Sequence, residues 1–396
     1  MPPARPIAPP LALLLLYATS GLIWGVWIQR LPVVARRLEL TNADLGMVLP
    51  AFPIGAIVAF QVISILSSRF QSRTTLVAFG LLRAAVFPLL GLATDMATLM
   101  AALALSGFAH GGLEVSLNRQ GVAIERQLGR PILARGAAAN SIGTLVSAGG
   151  IWLGTRSGLP YFTPFLIATV VGLVMFAVFG RSLMSDETTA HADPGAQPAR
   201  RRWVPPPALW MLLVIAFVAE ILDETVTEWM NIYLDNDIES GPAVATIGYS
   251  LYTSALLVGR LAGDTISRYV SPPRILQVGG LVGGVGMLVG ISINTENAIL
   301  LATGVIGLGT SLILPTIFRV AGSTPGIPST QALAMASTTI YLGYMVGPMM
   351  IGPISGAISL RAALIAVGIL CFLIPVVASL PRMTAPEPAP AREEFA

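Results

Sequence analysis

The sequence predicts an all-α membrane protein, with twelve transmembrane helices arranged in two pseudo-symmetric six-helix bundles. Three observations predict it. The 396-residue chain is 54% hydrophobic, has a mean hydropathy of +0.77 and is only 11% charged, where soluble domains carry about 25% charged residues. Apolar runs of about 20 residues, the length that crosses a bilayer, recur from end to end. The polar residues instead collect in one stretch near the midpoint and one at the C-terminus. This composition argues against a water-soluble enzyme, and its apolar fraction is far too high for a disordered chain.

Runs bounded by Arg, Pro, Gly or acidic clusters place spans 1 to 6 near 11–30, 44–66, 74–93, 97–118, 132–155 and 161–180. Spans 7 to 12 fall near 207–233, 243–266, 275–294, 298–319, 330–355 and 360–381. Arg5 ahead of Leu11–Leu16 imitates a secretory signal, but eleven further spans come after it, so the first run reads as a retained helix. With both termini in the cytoplasm, 16 arginines fall on the cytoplasmic side and 5 on the outer side, and Arg83 and Arg260 lie within spans. That bias supports an N-in, C-in orientation. The polar stretch Ser182–Pro206 is rich in Asp, Glu, Pro and Arg and reads as a solvated linker. The expected organisation is therefore an N-terminal bundle (1–181), a cytoplasmic linker (182–206), a C-terminal bundle (207–383) and a disordered tail (384–396).

All 23 basic residues are arginine. Without lysine there is neither a Schiff-base lysine nor a phosphate-loop lysine, which removes a Walker-type ATPase. The lone Cys371 cannot form an intramolecular disulfide, and with His110 and His191 as the two histidines a His/Cys metal cage is not expected. No cofactor is called for. The arginines are scattered through loops rather than forming a basic face interleaved with aromatics, so no nucleic-acid partner is expected.

The halves repeat at an offset of 199–200 residues. Ser68-Arg69-Phe70 matches Ser267-Arg268-Tyr269, Gly80 matches Gly279, Gly107 matches Gly307, Arg119 matches Arg319, and Gly143 matches Gly343. Four stretches add motifs to the repeat. Spans 1 and 2 carry Gly25-Val26-Trp27-Ile28-Gln29-Arg30-Leu31-Pro32 and Leu45-Gly46. Span 4 carries Glu114-Val115-Ser116-Leu117-Asn118-Arg119-Gln120-Gly121-Val122, then Glu125 to Pro131. Span 7 carries Asp223, Glu228-Trp229 and Tyr233-Leu234, and span 8 carries Gly259-Arg260-Leu261-Ala262-Gly263-Asp264. Over roughly residues 10–380 the chain resembles the major facilitator superfamily, in its bacterial fucose-permease-like branch. The resemblance implies a monomeric secondary transporter whose halves rock about a site between spans 1, 4, 7 and 10. In that branch, acidic residues of spans 1 and 4 are linked to substrate and proton handling. Glu114 matches the span-4 acid, and span 1 has none.

Two departures qualify the likeness. The superfamily's loop between spans 2 and 3 reads G-x-L-x-D-R-x-G-R-R, and here Ser68 stands where the Asp latches the halves. Arg69 and Arg73 remain, either as gate residues meeting a helix C-terminus or as ordinary positive-inside residues. The span-5 Gly-Pro motif of drug antiporters is also absent, since Ser141 to Gly150 keeps only the final Gly149-Gly150.

Ionisable residues inside spans cost several kcal/mol, so they are kept where they face water or each other. In span 7, Glu220, Asp223, Glu224 and Glu228 fall on one broad helical face. A plainer reading puts Glu228 at the outer membrane surface. In span 4, Ser106, His110, Glu114 and Asn118 recur every four residues. A His–carboxylate pair one turn apart suits a proton relay or a substrate contact, while a histidine bonded to a backbone carbonyl is the plainer alternative. Arg30, closing span 1, is expected to pair with a span-7 carboxylate or an anionic substrate group, or to snorkel to headgroups. Arg260 and Asp264, at i and i+4, read as an intrahelical pair or gate element. Trp24 is the deeper, binding-competent aromatic, and Trp229 reads as an interfacial anchor.

These residues predict a non-enzymatic transporter working by alternating access. It is expected to couple uptake of a small polar organic solute, such as a sugar, to protons across the lipid bilayer. Proton-coupled efflux of an amphiphilic or drug-like compound is the alternative, and a non-transporting sensor is the remaining class.

Overall fold

The computed structural model describes residues 8–66, 71–128, 132–184, 206–325 and 327–380. The tail 384–396, most of the expected linker 182–206 and Arg69 lie outside the described residues. Among those described, every regular element is helical.

Twelve helical segments cross the molecule. In the first half they are α1 (Pro9–Arg37), α2 (Asn42–Ile63), α3 (Ser72–Leu92), α4 (Met96–Leu128), α5 (Leu133–Arg156) and α6 (Thr163–Phe179). In the second half α7 starts at Pro207–Glu224 and continues to Asp237. Beyond it come α8 (Pro242–Tyr269), α9 (Pro272–Ile293), α10 (Glu296–Gly322), α11 (Ser329–Ala357) and α12 (Leu360–Ala378). Nine of these regions are long and apolar enough to cross a membrane on length and composition. The other three are α5, α7, which carries Glu220, Asp223 and Glu224 within Pro207–Glu224, and α11, which contains Pro348 and Pro353, and they complete the expected twelve. Membrane-facing sides show as exposed valine rows, Val170, Val174 and Val178 on α6 and Val278, Val285 and Val289 on α9.

Two elements depart from the expected pattern. The sequence closes span 1 at Arg30, but α1 runs on through Pro32 to Arg37. A proline removes one backbone hydrogen bond without stopping a well-packed helix. The sequence predicts a regular helix for span 7, but α7 contains two π-turns, Thr225–Trp229 and Tyr233–Asp237. Side chains take up carbonyls around the first: Thr225 Oγ1 donates to Ile221 O at 2.5 Å, Thr227 Oγ1 to Asp223 O at 2.9 Å and Asn231 Nδ2 to Thr227 O at 2.5 Å. Competing side-chain donors of this kind bend and widen helices.

The internal repeat is visible as packing. A Cβ on Gly143 of α5 would lie 1.8 Å from the Ala18 carbonyl oxygen of α1, and one on Gly343 of α11 would lie 2.7 Å from that of Phe217 on α7. Likewise Gly107 of α4 would meet the Phe52 carbonyl oxygen of α2 at 1.9 Å, and Gly307 of α10 that of Tyr252 on α8 at 2.6 Å. Glycine therefore permits the same backbone-to-backbone approach once in each half. One match is corrected. Gly80 packs on Phe176 of α6, and its counterpart against α12 is Gly280, which packs on Ile374, rather than Gly279. Replacing Gly143 with Val is expected to push α1 and α5 apart at a cost of about 1–3 kcal/mol or more. The measurement is a lowered thermal midpoint of the purified protein, and an unchanged midpoint would refute the tight crossing.

Both described chain ends lie on one face, the terminal face. On the opposite, distal face the halves touch. Arg36, near the end of α1, is ion-paired with Asp235 of α7 and donates to Asn236 Oδ1 at 3.2 Å. Asn42 Nδ2 donates to Ser355 Oγ at 2.8 Å. Between α2 and α11 a Cβ on Gly46 would sit 2.8 Å from the Gly352 Cα. The molecule is thus closed distally and parted toward the terminal face.

Candidate functional site

A cavity of about 720 Å³ fills the parting. It extends from mid-depth to the terminal face, between α1, α2, α4 and α5 of one half and α7, α8, α10 and α11 of the other. The regular pitch of α4 places His110, Glu114 and Asn118 on its wall, because residues four apart share a helix face. Glu114 is more open than His110, with 41% of its side chain exposed against 21%, and Asn118 is exposed. His110 Nε2 lies 3.8 Å from Glu114 Oε2, beyond hydrogen-bond reach. Asn118 Oδ1 accepts from Tyr17 Oη of α1 at 2.8 Å.

Tyr341 of α11 donates a short hydrogen bond to Glu114 Oε2. This contact crosses from one half to the other and joins the two in mid-cavity. Phe60 of α2 meets the Tyr341 ring edge-on at 4.9 Å. Just distal to it, Trp24, Phe52, His110 and Tyr344 form an aromatic floor. Trp24 is 5.1 Å from Phe52, 5.9 Å from His110 and 6.2 Å from Tyr344 between ring centroids.

On the facing wall, Glu220, Asp223, Glu224 and Thr227 of α7 line the cavity. Tyr252 of α8 donates to Asp223 Oδ1 at 2.5 Å. Glu224 is 4% exposed, and its Oε2 has no hydrogen-bond partner. Arg260 of α8 lines the same wall, within electrostatic reach of Glu220 and Asp223. It faces the carboxyl cluster of α7, whereas its spacing in the sequence suggests a partner along its own helix. The Asp264 side chain is outside the described residues.

Three expectations are corrected. Arg30 is neither at a helix end nor paired with α7: it is 6% exposed beside Tyr161, with an unpartnered Nε. The ion pair to the end of α7 belongs to Arg36, six residues further along α1. Glu228 is fully buried rather than at the outer surface, and its Oε1 accepts from Tyr344 Oη at 3.3 Å. Trp229 is likewise fully buried and packs in the core. The first π-turn explains both, since it rotates the residues beyond Glu224 out of the regular stripe. Arg73 sits half-buried in the first turn of α3, away from the cavity lining.

Comparison with known proteins gives these features a family context. A family model described as Major Facilitator Superfamily matches residues 11–328. The chain is 27% identical over 372 residues to an uncharacterised transporter of that type from Yersinia pestis, covering 93% of this chain and 94% of the relative. Its fold matches a crystal structure of the nucleoside transporter NupG with a TM-score of 0.74 at 12% identity, covering 93% of this chain and 98% of that one. It also matches a POT family transporter solved with a thioalcohol-conjugated peptide, with a TM-score of 0.75 at 12% identity over 93% and 94% of the two chains. No cluster of His, Cys, Asp and Glu able to hold a metal ion occurs among the described residues.

Proposed function

Because the chain belongs to the Major Facilitator Superfamily, we propose that this transporter takes up a small polar organic solute together with protons. The cavity between the halves is the alternating-access site, and the arginine bias makes the terminal face cytoplasmic. The described state is then open to the cytoplasm, in a bacterial inner membrane, and one chain suffices for transport.

The observation that carries the reading is the Tyr341–Glu114 contact. It places a titratable group where the two halves meet, inside the solute cavity. An ionised carboxylate is costly to enclose in a closed, low-dielectric compartment, and adding a proton removes most of that cost. The proton therefore assists passage through the occluded state. Because Glu114 is a cavity-lining group, the same residue senses solute and proton. The polar walls around Asn118, Asn140 and Ser337 supply hydrogen bonds for a hydroxylated solute, sugar-like by resemblance. The aromatic floor around Trp24 suits an amphiphilic solute as well, which keeps proton-coupled efflux as the second reading.

Proteoliposomes with an imposed inward proton gradient test the proposal. Solute is expected to accumulate inside and to stop accumulating when the gradient is collapsed. Accumulation indifferent to the gradient refutes proton coupling, and solute-driven proton movement of opposite sense establishes efflux.

A further inference from the structure

We infer that the solute carries a positively charged amine, held between the α7 carboxylates and the aromatic floor. The inference rests on the cavity being the transport site and specifies what that site accepts.

The cavity wall carries four carboxyl groups, Glu114, Glu220, Asp223 and Glu224, against one guanidinium, Arg260. None of the four forms an arginine ion pair among the described residues. The one basic side chain within 4.0 Å of any of them, among the described residues, is the His110 imidazole, at 3.8 Å from Glu114. Two of them are satisfied by tyrosine hydroxyls, Glu114 by Tyr341 and Asp223 by Tyr252. Glu224 is different. It lines the cavity, it is 96% buried by its 4% exposure, and one oxygen has no donor. A buried acceptor left unmade is expensive, so the site is short of one charged donor.

An ammonium group supplies that donor. It brings up to three N–H groups and the compensating charge in one small head. The rings of Trp24, Phe52 and Tyr344 lie at the same depth and attract a cation through their faces. The opposite choices fit worse. An anionic solute meets carboxyls on both walls, with one arginine on the lining, Arg260, and a second, Arg83, buried off the lining near Glu114. A neutral solute leaves the Glu224 oxygen without a donor unless a proton occupies it.

The test uses the purified full-length protein and thermal unfolding. The probes are glucosamine, tyramine and ethanolamine, set against glucose, N-acetylglucosamine and glucuronate. A ligand raises the midpoint of the state it binds, by several degrees at roughly 100-fold above its dissociation constant. At least one amine is expected to do so, its neutral or acidic counterpart is not, and Glu224→Gln is expected to lose the shift. Equal stabilisation by glucose or glucuronate, or no stabilisation by any of the amines, overturns the inference. If the variant fails to fold, the wild-type protein gives the second measurement. An amine, and not glucose, is expected to protect its cavity carboxyls from a carbodiimide, and absence of that protection overturns the inference as well. The two levels separate cleanly. A neutral sugar that stabilises and moves with protons removes the amine and leaves coupled uptake standing. An amine that stabilises but never crosses the membrane keeps the site and removes the transport reading.

Discussion

Glu114→Gln is expected to abolish gradient-driven accumulation while leaving solute exchange intact. Glutamine keeps the shape and still accepts the Tyr341 hydroxyl, so the contact between α4 and α11 survives. What it removes is the proton-carrying group. A tenfold proton gradient is worth about 1.4 kcal/mol and sustains up to about a tenfold solute ratio for one proton per solute. In the variant that ratio is expected to fall to about one, because nothing links the two flows. Counterflow, which needs no net proton movement, is expected to continue at a comparable rate. Both quantities come from one preparation of proteoliposomes with labelled solute. Normal accumulation in the variant removes Glu114 from the coupling. Loss of counterflow as well assigns it to solute binding alone.

Gly46→Val is expected to hold the transporter away from the described state. A Cβ at Gly46 would lie 2.8 Å from both the Gly352 Cα and the Pro348 carbonyl oxygen, and valine adds two further methyl groups. The neighbours are backbone atoms of α11, which cannot turn aside as a side chain would. Overpacking of this kind costs about 1–3 kcal/mol, and it is felt only when the distal face is shut. Each 1.4 kcal/mol of such bias shifts the balance between states about tenfold. Net transport is therefore expected to fall by about ten- to a hundredfold if closure limits turnover. A cysteine placed at Thr227, on the cavity wall, is expected to gain access from the distal face in a Cys371→Ser background, where the native thiol is fully buried. Unchanged distal labelling refutes the role given to this crossing.

How far these features are legible in the sequence depends on whether the signal is local. Most of the α4 stripe is legible, since His110, Glu114 and Asn118 share a face through the pitch of a regular helix, whereas Ser106, one turn earlier, is buried off the cavity lining. The glycines of the repeat are legible for a related reason. Gly107 and Gly307, or Gly143 and Gly343, recur because a bare backbone is needed at the same crossing in each half. The tyrosine partners are legible only as polar residues inside spans. Nothing near Tyr341 or Tyr252 in the chain tells that one reaches Glu114 and the other Asp223, because those contacts join different helices. Arg30 is misplaced by the sequence because Pro32 imitates a helix stop, and the error moves the distal ion pair from Arg36 to the wrong residue. Glu228 and Trp229 are misplaced because a π-turn is invisible to a reading that counts in steps of 3.6 residues.

The two widened turns of α7 have a mechanical consequence. Each stores one residue more than a regular helix uses over the same rise, in effect a dislocation held in the coil. Such a defect moves by exchanging neighbouring hydrogen bonds one at a time, so its migration never unravels the rod. As it passes, the stretch it crosses turns by about 100°, one residue's worth of rotation. The segment bearing Glu228 and Trp229 is accordingly built to swivel about its own axis while the ends of α7 stay anchored.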